Sequence, residues 1–212
     1  MVPSLIPRRY RPGALAVVGG SCLAFTALLS LAVVVGDGAA LRPIGMSWHD
    51  FVESHRTQFW LQLSLLLDLV GYTGAYVYLG VLVLVLLWRG HRRYALFAAA
   101  SALIVLLVSR TMKVLIGRPR PADALLDPAS AAFPSGHTMA TVAAMVITGF
   151  LLARAWVWIL GVCVAVLVML SRTFLQVHWL GDTVAGFFLA VGIVTLLWIA
   201  FQPKPAGLRQ VP

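Results

Sequence analysis

The sequence predicts an all-α integral membrane bundle of six transmembrane helices, and three observations carry that prediction. Hydrophobic residues make up 61% of the 212-residue chain and charged residues 11%, a balance foreign to soluble globular domains. The apolar residues fall in long runs, and the short segments between them gather nearly all the charge. The net charge of +9 comes with no basic stripe and no interleaving of basic and aromatic residues, so membrane topology accounts for it better than nucleic acid does. No internal repeat is visible, and residues 1–212 read as one domain.

The basic N-terminal segment 1–13 precedes a run from Leu15 to Val35. That run is longer than the ~7–15 residues of a signal-peptide core, so an uncleaved first helix is expected. Gly36 to Arg56 is mixed and polar, with Asp37, Asp50 and Glu53, and its WHDFVESHR stretch suggests a short interfacial helix. His49 and His55 in it are spaced to meet no cluster of acids or cysteines and are expected to be solvated. From Phe59 to Trp88 the chain is apolar throughout, longer than the ~20 residues that cross a bilayer. Asp68, Gly71 and Gly74 predict that the helix begins or bends there, with the spanning part from Tyr72 to Trp88. Further runs extend from Tyr94 to Val108, Thr138 to Leu152, Val157 to Leu170 and Thr183 to Phe201, before a tail, 202–212, expected to be disordered. Cys22 and Cys163 each lie inside an apolar run and are expected to be buried small hydrophobes rather than a disulfide.

Six spans put both termini on one side. That side would carry Arg8, Arg9, Arg11, Arg89, Arg92, Arg93, Arg154, Lys204 and Arg209 and no acid, against seven bases and, with Asp68 counted to the nearer outer end, all seven acids on the other. The positive-inside rule then places both termini in the cytoplasm, and the margin widens once Lys113, Arg120 and Arg172 are set aside as functional. Trp88, Trp156, Trp158 and Trp198 would mark the inner interface, Trp60 and Trp179 the outer one.

With this topology the unusual polar residues converge on one face. The third span ends at Lys113 and runs into GRPRP; the fourth begins at PSGH, 134–137; the fifth ends at Ser171–Arg172; the sixth starts near His178 and Asp182. Ionisable residues beside membrane spans are functional candidates. If the chain is helical from His178 onward, Asp182 shares its face and can accept a hydrogen bond from one ring nitrogen, leaving the other free. Taken alone, that stretch fits a rim histidine capped by a nearby acid equally well. Taken together, three cations, two histidines, a carboxylate and a serine suit a phosphoryl group. Two helix N-termini favour an anion there, and Ser135 can cap while its N–H and that of Gly136 stay available. An intramembrane serine protease using Ser135 and His178 would not need three cations, and a transporter with a basic vestibule would not need a His–Asp pair and a second histidine.

The chain resembles the type 2 phosphatidic acid phosphatase (PAP2) superfamily. The family pattern is a lysine, six residues and Arg-Pro; then Pro-Ser-Gly-His; then Ser-Arg, five residues, His, three residues, Asp. Here it reads Lys113 to Arg120–Pro121, Pro134 to His137, and Ser171–Arg172 with His178 and Asp182, without a gap or substitution. The resemblance implies a membrane lipid phosphatase in which His178 attacks phosphorus to give a phosphohistidine, Asp182 orients its ring, and His137 moves the proton. Lys113, Arg120, Ser135, Gly136 and Arg172 would hold the phosphoryl oxygens. Arg118, two residues before the motif arginine, would be a headgroup or substrate contact. No metal or other cofactor is implied. The expected partners are the bilayer and a lipid phosphate or pyrophosphate, and no nucleic acid. In bacterial relatives those lipids include undecaprenyl-type pyrophosphate of cell-wall synthesis, which is the first expectation here, and phosphatidylglycerophosphate and phosphatidic acid; a lipid-linked sugar phosphate, or transfer of the phosphoryl group to another lipid, is the alternative. The expected location is a bacterial plasma membrane, with the site on its extracytoplasmic face.

Overall fold

A computed structural model describes residues 7–35, 38–127 and 129–203. Asp37, and the tail from residue 204 on, lie outside the described residues. All regular structure among the described residues is helical: α1 Pro12–Val34, α2 Arg42–Ser54, α3 Gln58–Leu69, α4 Ala75–Trp88, α5 Arg92–Ile116, α6 Gly136–Leu152, α7 Ala155–Phe174 and α8 Leu180–Phe201. Five continuous helical stretches are long and apolar enough to cross a membrane: Pro12–Val34, Gln58–Trp88, Arg92–Ile116, Ala155–Phe174 and Leu180–Phe201. The sixth apolar helix, α6, has 17 residues, roughly 25 Å of rise against a hydrocarbon core of about 30 Å.

α6 is short because it is the centre of the bundle. Most of its residues are buried against neighbouring helices, whereas α1 and α4 present Val17, Leu28, Val77 and Leu84 outward as apolar surface suited to lipid. At the far end of α6, Phe150 stacks on Trp198 at 5.1 Å and meets Tyr10 edge-on at 5.7 Å. Trp198 is fully buried there, between Phe97 and Tyr94, so it is a core residue and not the interfacial marker expected from its place near the end of a span. Trp88, at the end of α4, is 82% exposed. Arg93 closes α8 by donating to the carbonyls of Ala200 and Gln202 at 2.9 Å.

The second span begins earlier than expected. It runs as one helix from Gln58, where the Thr57 hydroxyl caps the Trp60 N–H, through a π-helical turn at Val70–Gly74 and on to Trp88. The bend expected at Asp68, Gly71 and Gly74 is that turn. A π turn leaves backbone carbonyls free for outside donors, and α6 supplies them: Thr141 donates to the Gly71 carbonyl at 3.0 Å, and His137 Nε2 lies 3.3 Å from the Asp68 carbonyl.

The interfacial helix is present as α2, but His49 is not solvated as expected. Its Nε2 meets the Asp123 carboxylate at 3.0 Å, from a loop distant in sequence. The cysteines are free, Cys22 half-buried and Cys163 exposed, because each points from its helix toward the bundle's outer surface and not into its core.

Candidate active site

The ends of α5, α7 and α8 and the loops that follow α5 and α7 meet at the N-terminal end of α6. α5 brings Lys113 in its last turn and stops at Gly117, whose φ of 60° is the left-handed cap that glycine adopts without strain. The chain then passes Arg118 and Arg120 on its way to Ser135 and α6. Arg172 stands in the last turn of α7, and the 175–179 loop carries His178 into α8. α8 comes close because residue 186 is glycine: a Cβ there would sit 2.9 Å from the Ser135 carbonyl.

These elements enclose a cavity of about 770 Å³ whose wall includes Lys113, Arg120, Gly136, His137, Arg172 and His178. Arg120 is fixed by backbone acceptors: its Nε donates to the Ser130 carbonyl at 2.9 Å and its Nη1 to the Val177 carbonyl. The same Nη1 lies 3.4 Å from His178 Nε2. Burial lowers the Arg120 pKa from its ordinary value, with Asp182 opposing the shift and Arg172 adding to it. Lys113 Nζ donates to the Ala131 carbonyl.

His178 is not part of a helix, since α8 begins at Leu180. The chain nevertheless brings its Nδ1 to 3.5 Å from Asp182 Oδ2. That is an ion-pair separation and too long for the hydrogen bond expected between them. Asp182 is engaged elsewhere. Its Oδ1 accepts from Arg118 Nη1 at 2.5 Å, and its Oδ2 accepts the Trp179 backbone N–H at 2.9 Å. Arg118 therefore faces inward to the carboxylate, with its guanidinium 5.7 Å over the Trp179 ring, and is not directed at headgroups or substrate. Burial, reinforced by Arg120 and Lys113, holds the His178 imidazole down to about 4 against the pull of Asp182. Its Nε2 is an unprotonated nitrogen at neutral pH if Nδ1 carries the hydrogen facing Asp182.

Ser135 differs from its expected role. It sits at the N-cap position of α6, but its side chain caps no helical N–H. Its own N–H is taken by the Asp182 carbonyl at 3.0 Å, its hydroxyl accepts from Thr138 at 3.2 Å, and it is fully buried behind the cavity wall. Gly136, at the first helical position, forms part of the wall itself.

One participant was not expected at all. Asp68, in the last turn of α3, accepts from Arg172 Nη1 at 2.6 Å and lies 3.2 Å from His137 Nε2. The only sequence signal for it was a lone charge inside an apolar run. Tyr72, Ser109 and Arg110 also line the cavity. α2 lies over the outside of this loop cluster, its His49 ring 6.0 Å from Trp179, and Arg56 after it donates to Gln176 at 3.2 Å.

A model of the PAP2 superfamily matches residues 93–205, which hold every motif residue above. The chain is 31% identical over 145 residues to an undecaprenyl-diphosphatase of Sulfolobus acidocaldarius, covering 65% of this chain and 67% of that protein. It is 32% identical over 114 residues to phosphatidylglycerophosphatase B of Bacillus subtilis, covering 49% of this chain and 56% of the relative. In architecture it is similar to the crystal structure of a transmembrane PAP2 type phosphatidylglycerolphosphate phosphatase from Bacillus subtilis. The TM-score is 0.73 at 24% identity, over 86% of this chain and 94% of that one.

Proposed function

The chain belongs to the PAP2 superfamily, and from that premise we propose that it hydrolyses a polyprenyl pyrophosphate at the outer face of a plasma membrane through a phosphohistidine. One observation carries the mechanism. His178 Nε2 faces a cavity ringed by Lys113, Arg120 and Arg172, while its Nδ1 faces Asp182.

In the first step Nε2 of His178 attacks phosphorus, the N–P bond forms and the bond to the leaving oxygen breaks. His137 gives that oxygen a proton. Lys113, Arg120, Arg172 and the N-terminus of α6 at Gly136 take up the negative charge on the remaining oxygens. Asp182 balances the positive charge that builds on the His178 ring. In the second step water attacks phosphorus, gives its proton to His137, and breaks the N–P bond to release phosphate and neutral His178. No step calls for a metal.

A lipid substrate fits the surroundings. A second, apolar groove of about 520 Å³ is lined in part by Leu67, Val70, Gly71 and Val168, and Gly71 in it packs against the His137 ring of the cationic cavity, which supports a substrate with an apolar chain beside its anionic head. The likeness to the undecaprenyl-diphosphatase supports a pyrophosphate head. The likeness to phosphatidylglycerophosphatase B supports a phosphomonoester, so both belong in one assay. The excess of arginine on the side of the termini supports a cytoplasmic location for both and an outward site.

The test is phosphate release by purified protein in detergent containing EDTA, from polyprenyl pyrophosphate, phosphatidylglycerophosphate and phosphatidic acid, with His178→Ala alongside. Release that persists in EDTA, is greatest with the pyrophosphate and vanishes in the variant bears the proposal out. Undiminished release by His178→Ala refutes the covalent mechanism, and a preference for phosphatidylglycerophosphate reassigns the substrate.

A further inference from the structure

We propose that Asp68 is a positioning residue for the proton-transferring histidine, forming with His137 a second His–carboxylate pair beside that of His178 and Asp182. The inference rests on the phosphatase reading above and adds to it a residue outside the three motifs.

The continuous helix Gln58–Trp88 contains no other charged side chain. A carboxylate in such a helix is costly unless it is paired and used. Asp68 is paired twice: Oδ1 is 2.6 Å from Arg172 Nη1 and 3.2 Å from His137 Nε2. A plain counter-ion for Arg172 would explain the first contact alone. The second is reinforced by the backbone, because the Asp68 carbonyl, just before the π turn, approaches the same His137 nitrogen at 3.3 Å. The Asp68 carbonyl accepts from Nε2 and assigns the hydrogen to it, and the carboxylate stands beside the same nitrogen at ion-pair distance. They also fix the plane of a ring that is otherwise held only by packing, 5.3 Å from Tyr72.

In the cycle, the Asp68 carboxylate balances the positive charge on His137 while the ring is the acid, and holds its orientation while the ring passes a proton to the leaving oxygen and takes one from water. Asp68 itself forms no bond to substrate. When a phosphoryl group enters, Arg172 can turn toward it and leave His137 as the sole partner of Asp68.

A role through His137 makes a prediction that a structural role does not: the loss depends on how much the leaving group needs a proton. Phenyl phosphate and p-nitrophenyl phosphate have similar shapes, but nitrophenolate departs with little protonic help. Asp68→Asn keeps the size and an oxygen for Arg172 and removes the charge. We expect kcat/KM for the phenyl ester to fall about a hundredfold, the scale of general acid catalysis, and that for the nitrophenyl ester less than about tenfold. Asp68→Glu keeps the charge and carries the test if the amide variant does not fold, with the phenyl ester again losing more. Equal losses on both esters, in whichever variant folds, overturn the role of Asp68 and leave the phosphatase reading intact. If the unaltered protein hydrolyses neither ester and no lipid phosphate, the phosphatase reading falls and this inference falls with it.

Discussion

Replacing Arg118 with alanine tests how the site is held together. The Arg118–Asp182 contact is a short ion pair whose carboxylate is fully buried and whose guanidinium is 12% exposed. Without Arg118, Asp182 retains the Trp179 N–H at 2.9 Å and has the Nδ1 of a neutral His178 3.5 Å away. Removing one partner of a buried pair costs about 3–5 kcal/mol. Lys113 and Arg120 are close enough to offset part of this, so about 3 kcal/mol is expected. Loss of the guanidinium over Trp179 removes a further ~0.5–1 kcal/mol. At roughly 2–4 °C per kcal/mol for a chain of this size, the combined loss of about 3.5–4 kcal/mol means that Arg118→Ala should lower the thermal unfolding midpoint in detergent by about 7–16 °C. Asp182→Asn removes the opposing charge, so the double variant should be more stable than the sum of the two single losses allows, with a coupling of about 2 kcal/mol or more. A midpoint within about 2 °C of the unaltered protein, or strict additivity in the cycle, would refute the view that Arg118 is a buried structural partner.

Other consequences can be measured separately. Arg120, held by backbone carbonyls, next to His178 and facing the cavity, should matter for turnover more than Arg118 does: Arg120→Ala should lower kcat by about a hundredfold to a thousandfold, and a smaller loss than in Arg118→Ala would reverse the two assignments. His137→Ala should stop phosphate release from lipid substrates while the protein remains folded, and full activity would remove it from the mechanism. Because burial holds His178 down to about 4, the imidazole loses its nucleophilic form only as pH falls through that value. The acid limb of kcat/KM, with the substrate's own ionisation divided out, should therefore lie well below the ordinary histidine range, and a limb near 6.5 would contradict the burial argument. Gly186→Ala places a Cβ 2.9 Å from the Ser135 carbonyl and should cost about 1–3 kcal/mol in thermal stability; an unchanged midpoint would mean that α8 and the start of α6 can move apart freely.

The hydropathy of the chain carries most of the fold class, and its three motifs supply Lys113, Arg120, Gly136, His137, Arg172 and His178 of the cavity wall. A bilayer imposes its requirement on each segment separately, through length and apolar composition, so the helical runs are legible one at a time. Motif residues sit at helix ends for the same reason: charge is admitted where the spans stop. What lies between helices follows a different rule. Whether Trp198 faces lipid or stacks on Phe150, and whether Arg118 points to headgroups or to Asp182, depends on the rotation of one helix against another, which the run of apolar residues does not encode. Asp68 and Arg172 are 104 positions apart, and only the packing of α3 against α7 makes them partners. The same is true of the Ser135 N–H, which the Asp182 carbonyl takes because Gly186 lets α8 come within reach. Local chemistry named the candidate groups, and the tertiary contacts decided which of them face the cavity and which are bound to one another.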